Sequence, residues 1–563
     1  MWLFVLYYAG SEYLIGQESC VLTWQGERQP VSGGLPDITL TDLLAGPGDT
    51  QLAPSLSLSV LLPEDIPLRV SQGFPLSGAR AELYWVPATG PAVLRLSGRL
   101  RSPDYGARGE PVSFTVENQG YQATRILPGE TLRVDGYTWP DSILTLTEVS
   151  AGGIYPLVIG RPGVRGDGSN TSGSPARWAW HNPDIPGGSY TNYVGLILVI
   201  AGHHVSCERV YIWTEAAEAS WRAPVVNGYD GRGQPIAFIP WYATKSGTEE
   251  PYDYDPAGSY ASALLDFDGD YTYGLGSRNV LPDGNAVSVY TTASAEPQFW
   301  VAFRDDESDG RGGMTEGGEL LQGAGRVLAV LLALAGQPVD PGSVRANSAY
   351  LDRFLLDFAI SESCSLWEFL LAHLFPILPV SLLPLADGWS LAVWRWDGVA
   401  SEARLALEAG PDCSRLSTVS EDSSQVCNRF RLQYARRLSS GKYAEEVSLS
   451  GDLPDPEEPD REFSEVCRRS VSLYGETSES LITSDVIYDR STALAVLRAK
   501  ALALALARIR IRYQVPTSKI IQLSPGALVL ITDRDFYWES KLFLLESISY
   551  KGAVSEISLI ASI

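Results

Sequence analysis

Chemistry in this chain would have to come from few side chains. Only four histidines occur, His181, His203, His204 and His373, and the pair His203-His204 has no third ligand at a recognisable spacing. The six cysteines, Cys20, Cys207, Cys364, Cys413, Cys427 and Cys467, form no CxxC, so they read as reduced and mostly buried thiols. Asp266-Phe267-Asp268-Gly269-Asp270 carries the alternate carboxylates that open a calcium loop. Gly269, however, stands at the fourth loop position where the sixth is needed, and Ser277 stands where a bidentate glutamate belongs. Asp266, Asp268 and Asp270 therefore read as an acidic turn first and as metal ligands second. No GxSxG, Walker loop, HExxH or GxGxxG fingerprint appears. Carboxylate pairs that could hydrolyse glycosides are too numerous among 67 acids for any to be singled out. The expectation is a protein without catalysis, cofactor or metal.

Arg508, Arg510 and Arg512 alternate with Ile509, Ile511 and Tyr513, so a strand there packs one face and offers three guanidinium groups on the other. Forty-three basic residues against 67 acidic ones leave a net charge of −24, which repels phosphate backbones and argues against sequence-specific nucleic-acid binding. In so acidic a chain the row could pair with carboxylates of a neighbouring subunit, or form local ion pairs on a solvated face. Those three arginines are the interface candidates. Arg165-Gly166-Asp167 and Asn170-Thr171-Ser172 match short adhesion and glycosylation patterns that arise by chance, and no secretory leader supports them.

The elements that would position these groups are mostly strands. A chain of 563 residues exceeds what one core supports, and 53 Gly with 36 Pro suit a fold rich in turns. Met1 to Tyr8 is apolar but lacks a basic start and ends at Gly10-Ser11-Glu12, so it reads as a first strand in a protein made in the cytosol. Leu56–Val60, Ala81–Val86, Val93–Gly98 and Val112–Glu117 alternate with no helix signal between them, which predicts an antiparallel sandwich or barrel. Residues 1–150 thus form a first β domain. Residues 151–315 turn rich in Gly, Ser, Asn and Asp but keep strands at 194–200 and 299–303, as an inserted loop-rich β domain would.

The acidic run Asp305–Asp309 precedes an apolar helix over 320–334. Ser365-Leu366-Trp367-Glu368 has the form of a capping box for a second helix that Pro376 closes, and apolar runs 377–383 and 389–396 flank Asp387-Gly388 as a hairpin. A helix-plus-hairpin domain is expected over 316–450. The prolines and like charges of 452–460 should hold an exposed loop, Ser491 should cap an Ala/Leu helix through Ala507, and 520–560 should form a small β-module around Pro525-Gly526, making up a final segment 451–563.

Three segments together resemble the central hub proteins at the tail tip or baseplate of long-tailed bacteriophages. They are the run from Ala81 through Leu100 to Phe114, the Tyr155-Pro156-Leu157-Val158-Ile159-Gly160-Arg161-Pro162-Gly163 stretch, and the helix to Ala507 with its strand and Leu523 to Asp533. The resemblance implies a mainly β, multidomain α+β chain with two tube-like β-domains, the second completed by 451–563. It also implies a homotrimeric ring that continues the tail tube, contacts distal tail and tip or fibre proteins, and encloses a DNA exit channel without binding the DNA specifically. The implied location is the virion tail tip, after synthesis in the host bacterial cytoplasm and without stable membrane insertion. An acidic channel wall would suit DNA passage by repulsion. Two other readings compete: a carbohydrate-binding or glycoside-hydrolysing β-protein, suggested by 15 Trp and 27 Tyr, and a receptor-binding tail fibre protein.

Overall fold

The computed structural model describes residues 1–43, 55–87, 90–107, 109–118, 126–127, 144–146, 154–163, 174–181, 195–214, 221–229, 235–241, 278–280, 286–288, 299–303, 312–385, 388–437, 441–453 and 460–562. The protein is a β-rich α+β chain, 45% strand and 19% helix, divided among several sheets.

Trp2–Tyr8 is apolar at every position, which a strand tolerates only when both its faces are covered. Trp2, Phe4, Leu6 and Tyr8 enter a large core, whereas Leu3 and Val5 face Leu14, Trp24 and Val31 on the other side. The hairpin of Cys20–Trp24 and Glu27–Gly33 supplies that second cover. Eight strands line up in the order Cys20–Trp24, Glu27–Gly33, Ser11–Gly16, Trp2–Tyr8, Arg80–Trp85, Val93–Asp104, Val112–Asn118 and Ser55–Val60. Neighbours run antiparallel except Ser11–Gly16 against Glu27–Gly33. Among the described residues one helix breaks the all-strand expectation, Asp65–Ser71 around buried Ile66. Its seven residues are too few to leave a periodic trace, and Pro67 sits in the first turn where no N–H donor is required.

A second eight-stranded sheet gathers Leu405–Glu408, Leu528–Asp533, Trp538–Lys551, Val554–Ser562, Arg508–Pro516 and Ser414–Arg415, with Ser420–Asp422 also on Arg508–Pro516. Its remaining strand, Leu40–Leu43, comes from the first part of the chain and pairs with Ser547–Tyr550. Ile509, Ile511, Tyr513, Phe543, Leu545 and Tyr550 join Trp2, Phe4, Leu83 and Phe114 in one core. The Trp2 ring stands edge-on to Trp85 at 5.2 Å and to Tyr550 at 6.3 Å, which ties the two sheets together.

Among the described residues, two larger cores lie between these ends. Leu157–Ile159 pairs with Phe358–Ile360, and its alternation sends Leu157 and Ile159 into one core and Val158 into the other. The Val158 core packs Leu198, Ile200 and Val210 with Val301 and Phe303. The larger one unites the helices Ala324–Leu334 and Arg490–Leu504, the hairpin Val380–Leu385 with Gly388–Val393, and a sheet of Arg461–Phe463, Tyr443–Ser450, Phe430–Arg436 and Ser480–Thr483. That sheet takes strands from both sides of the division expected at residue 450.

Several local expectations shift. The first apolar helix starts at Ala324, because Glu319–Leu320 pairs as a strand with Thr315–Glu316. Ser365 is the N-cap residue, but its hydroxyl bonds no helical N–H, and the turn Leu366–Phe369 continues into a π-helical turn Leu370–Leu374. Asp489, not Ser491, caps the long helix, accepting from the Ser491 and Thr492 N–H groups at 3.0 and 2.8 Å, and the helix closes at Leu504. A carboxylate two residues upstream outcompetes the hydroxyl.

Candidate assembly surfaces

The Arg508–Pro516 strand alternates as its sequence requires: Ile509, Ile511 and Tyr513 are buried, and the arginines face outward. The three arginines then part company. Arg508 lies with its guanidinium 5.0 Å over the Trp396 ring and donates from Nε to the Ala503 carbonyl at 2.9 Å. Burial, with the Arg510 charge beside it, pulls its pKa below the ordinary arginine value. Arg510 donates to Glu546 Oε1 at 3.0 Å and sits 3.6 Å from Asp422, so it is neutralised within the chain. Arg512 is exposed, its main-chain N–H donates to Ser417 Oγ at 3.0 Å, and among the described residues no carboxylate forms an ion pair with it. Of the row, Arg512 is the side chain open to a partner.

Sequence reasoning missed Lys500, whose ammonium is driven to a lower pKa by burial and then by Arg508. A single lysine in the Ala499-Lys500-Ala501-Leu502 run was the signal available.

Each sheet also buries a carboxylate under tyrosine hydroxyls. Glu82 accepts from Tyr7 at 2.8 Å and Tyr84 at 2.9 Å and pairs with Arg80. Asp533 accepts from Tyr513 at 2.7 Å, with Arg415 at 3.8 Å. Burial and then the carboxylate bond raise the pKa of each tyrosine. A phenol held protonated against a satisfied carboxylate is an anchor, not a proton relay.

The Tyr155–Gly163 stretch is held from three directions. The Val158 N–H donates to His203 Nε2 at 2.9 Å, which leaves Nδ1 to carry the ring proton and bond the His204 carbonyl at 2.9 Å. Burial depresses the His203 pKa to about 4, so the imidazole is neutral and structural. Asp357 Oδ1 receives the Arg161 N–H and Gln322 Nε2, each at 2.6 Å. Gly160 has φ +65°, and a Cβ there would stand 2.2 Å from that same oxygen, so no larger residue fits.

No family model matches the sequence, and no curated protein does. Among solved structures, a tail protein from Neisseria meningitidis MC58 aligns over 99% of this chain and 96% of its own, with 9% identity and a TM-score of 0.32. The 43 kDa tail protein of prophage MuSo2 from Shewanella oneidensis aligns over 99% and 97%, with 11% identity and a TM-score of 0.33. A chain of the virion of a native gene transfer agent particle aligns over 79% and 90%, with 11% identity and a TM-score of 0.34. TM-scores this low decide neither fold nor function.

The remaining sequence candidates resolve as follows. Asp266, Asp268 and Asp270 lie outside the described residues, and among the described ones no group of His, Cys, Asp or Glu could hold a metal. All six cysteines are free thiols; Cys207, Cys413 and Cys467 are buried, while Cys20 is exposed on the edge strand. Trp389 and Trp394 are buried and donate to Gln337 and Ser381, which accounts for them as core. Among the described residues no helix is long and apolar enough to cross a membrane.

Proposed function

We propose that the chain is a structural hub of a phage tail tip or baseplate, three copies of which close into a ring that continues the tail tube. The union of both chain ends in one core carries this reading: strands from the first 118 residues and from the last 160 or so give each copy two eight-stranded sheets on shared apolar contacts. Two β units per chain are what a pseudo-sixfold ring of three copies needs. Of the three segments that carry the resemblance, the first lies in the first sheet, the second contains Leu157–Ile159, and the third runs from the long helix into the second sheet. In this reading the first sheet and the second, gathered from 40–43, 405–422 and 508–562, supply the tube-like parts, the core shared by 316–393 and 430–504 the hub domain, and 151–315 an outward insertion. Distal tail, tube and tip proteins are the partners, Arg512 is a contact for a partner carboxylate, and the acidic chain lets DNA pass without sticking. No catalytic step is assigned.

Electron microscopy of particles carrying a tagged copy tests the proposal. A threefold density on the tail axis at the tip is expected. Sideways projections would move the chain to the fibres, and absence from the particle would reject the reading. Turnover of cell-wall polysaccharide by the purified chain, abolished by one carboxylate substitution, would overturn the non-enzymatic part.

A further inference from the structure

Where the long helix Arg490–Leu504 hands the chain to the second sheet, two cations stand together without a counter-charge of their own. Lys500 and Ala503 lie one turn apart on the same helix face, and Arg508 reaches that turn, donating from Nε to the Ala503 carbonyl at 2.9 Å. The Trp396 ring, stacked on Trp394, lies 5.0 Å from the guanidinium. Both cations are half-buried. Among the described residues the Lys500 ammonium forms no hydrogen bond or ion pair, and neither do the Nη groups of Arg508. The two acids whose charge reaches Arg508 are already committed. Asp422 lies cross-strand from Arg508, yet its carboxylate takes the Ser424 N–H and hydroxyl at 3.0 and 2.6 Å and faces Arg510 at 3.6 Å. Glu546 accepts from Arg510 at 3.0 Å and from Ser558 at 2.9 Å. Three cations thus share two carboxylates, both turned to Arg510, in a chain whose net charge is −24. Burial and then Arg508 hold the Lys500 ammonium below its ordinary pKa, as befits a charge short of an anion.

We propose that Lys500 and Arg508 form an oxyanion site, flanked by Trp396, that takes one carboxylate or phosphate group at the joint between helix and sheet. A half-buried charge without a partner destabilises the fold until a counter-ion arrives. The Nη groups of Arg508 supply donors matched to paired oxygens, the ammonium adds a point charge, and the indole face supports the guanidinium without competing for hydrogen bonds. The joint gives the site its effect. Arg490–Leu504 packs in the larger middle core and Arg508–Pro516 in the core of the two sheets, so a bound oxyanion ties one to the other. The group comes either from a free ion or from a side-chain carboxylate of a second copy. The site stands without the ring reading.

The test uses the purified full chain, with inorganic phosphate or acetate exchanged for chloride at constant ionic strength. Acetylation of Lys500 by acetic anhydride is followed by mass spectrometry, and melting is followed in the native chain and in Lys500→Met. In the dilute native chain either ion should slow acetylation of Lys500 about fivefold at about four times its Kd, while exposed Lys442 reacts as before. Without an oxyanion, Lys500→Met should melt above the native chain, because it removes an uncompensated charge, and neither ion should raise its melting further. Slowing that appears only as chain concentration rises, with no ion added and with association weakened by Lys500→Met, upholds the site and makes the group a carboxylate of a second copy. Acetylation indifferent to both ions, with association unaffected by Lys500→Met, overturns the site. So does a Lys500→Met chain that melts below the native one and still responds to phosphate. Loss of the site leaves the ring reading to the particle images.

Discussion

The first sheet is written in one stretch of chain, its eight strands all lying between Trp2 and Asn118, whereas the second is gathered from 40–43, 405–422 and 508–562. Both are antiparallel for the most part, both send one face into the shared core, and both bury a carboxylate under tyrosine. The difference is in what each needs to exist. Local hairpins can assemble the first as it emerges, but the second lacks its partners until hundreds of residues have been made and the Leu40–Leu43 strand has been held free for it. A core shared by such unequal halves should make the early half wait for the late one.

The largest test of that dependence is Trp2→Ala. Trp2 is fully buried between Trp85 and Tyr550, and its removal should cost about 3–5 kcal/mol in denaturant unfolding. Signals from the two sheets should fall together; loss confined to the first would break the comparison.

Acid comes next, and it should strike outside both sheets. The His203 pKa of about 4 lies below its ordinary 6.5, so between these values the unfolded chain binds a proton that the folded chain refuses. Stability of the 158–303 core should therefore drop as pH falls from 6.5 toward 4, by roughly 3 kcal/mol at the lower end. Melting followed at both pH values checks it, and a His203→Gln chain should lose most of this dependence.

Smaller effects sharpen the likeness between the sheets. Glu82→Gln and Asp533→Asn each weaken charge-assisted tyrosine bonds and should each lower the unfolding free energy by about 2 kcal/mol. A near-neutral result in one sheet alone would show that the two anchors are not equivalent. At the low end, Asp489→Ala should cost about 1 kcal/mol and Ser491→Ala only a few tenths, since Asp489 makes the cap.

Much of the first sheet was legible because period-two alternation is local: Leu56–Val60, Val112–Glu117 and all of Ala81–Val86 but its last residue fall in strands. The hairpin expected across 387–388 was legible for the same reason, although Gly388 belongs to the strand, opposite Leu385, and not to the turn. What stayed hidden was pairing at a distance. Nothing in Leu40-Thr41-Asp42-Leu43 announces a partner five hundred residues away, and nothing in Arg508-Ile509-Arg510 says that Glu546 and Asp422 neutralise the middle arginine. The helix Pro341–Leu351 could have been found, since Asp340 followed by Pro341 is a cap and a first-turn proline. The left-handed C-cap that Tyr537 makes after Arg534–Phe536 could not, because tyrosine does not advertise that backbone angle.

The central claim is that the chain's two ends fold as a single body, and hydrogen exchange on Tyr550→Ala reaches it most directly. Tyr550 belongs to the second sheet and touches the first through Trp2. Amides of Trp2–Tyr8 should exchange faster in step with those of Trp538–Lys551. Unchanged protection across Trp2–Tyr8, with only the second sheet loosened, would contradict the shared core and remove the ground on which the hub proposal stands.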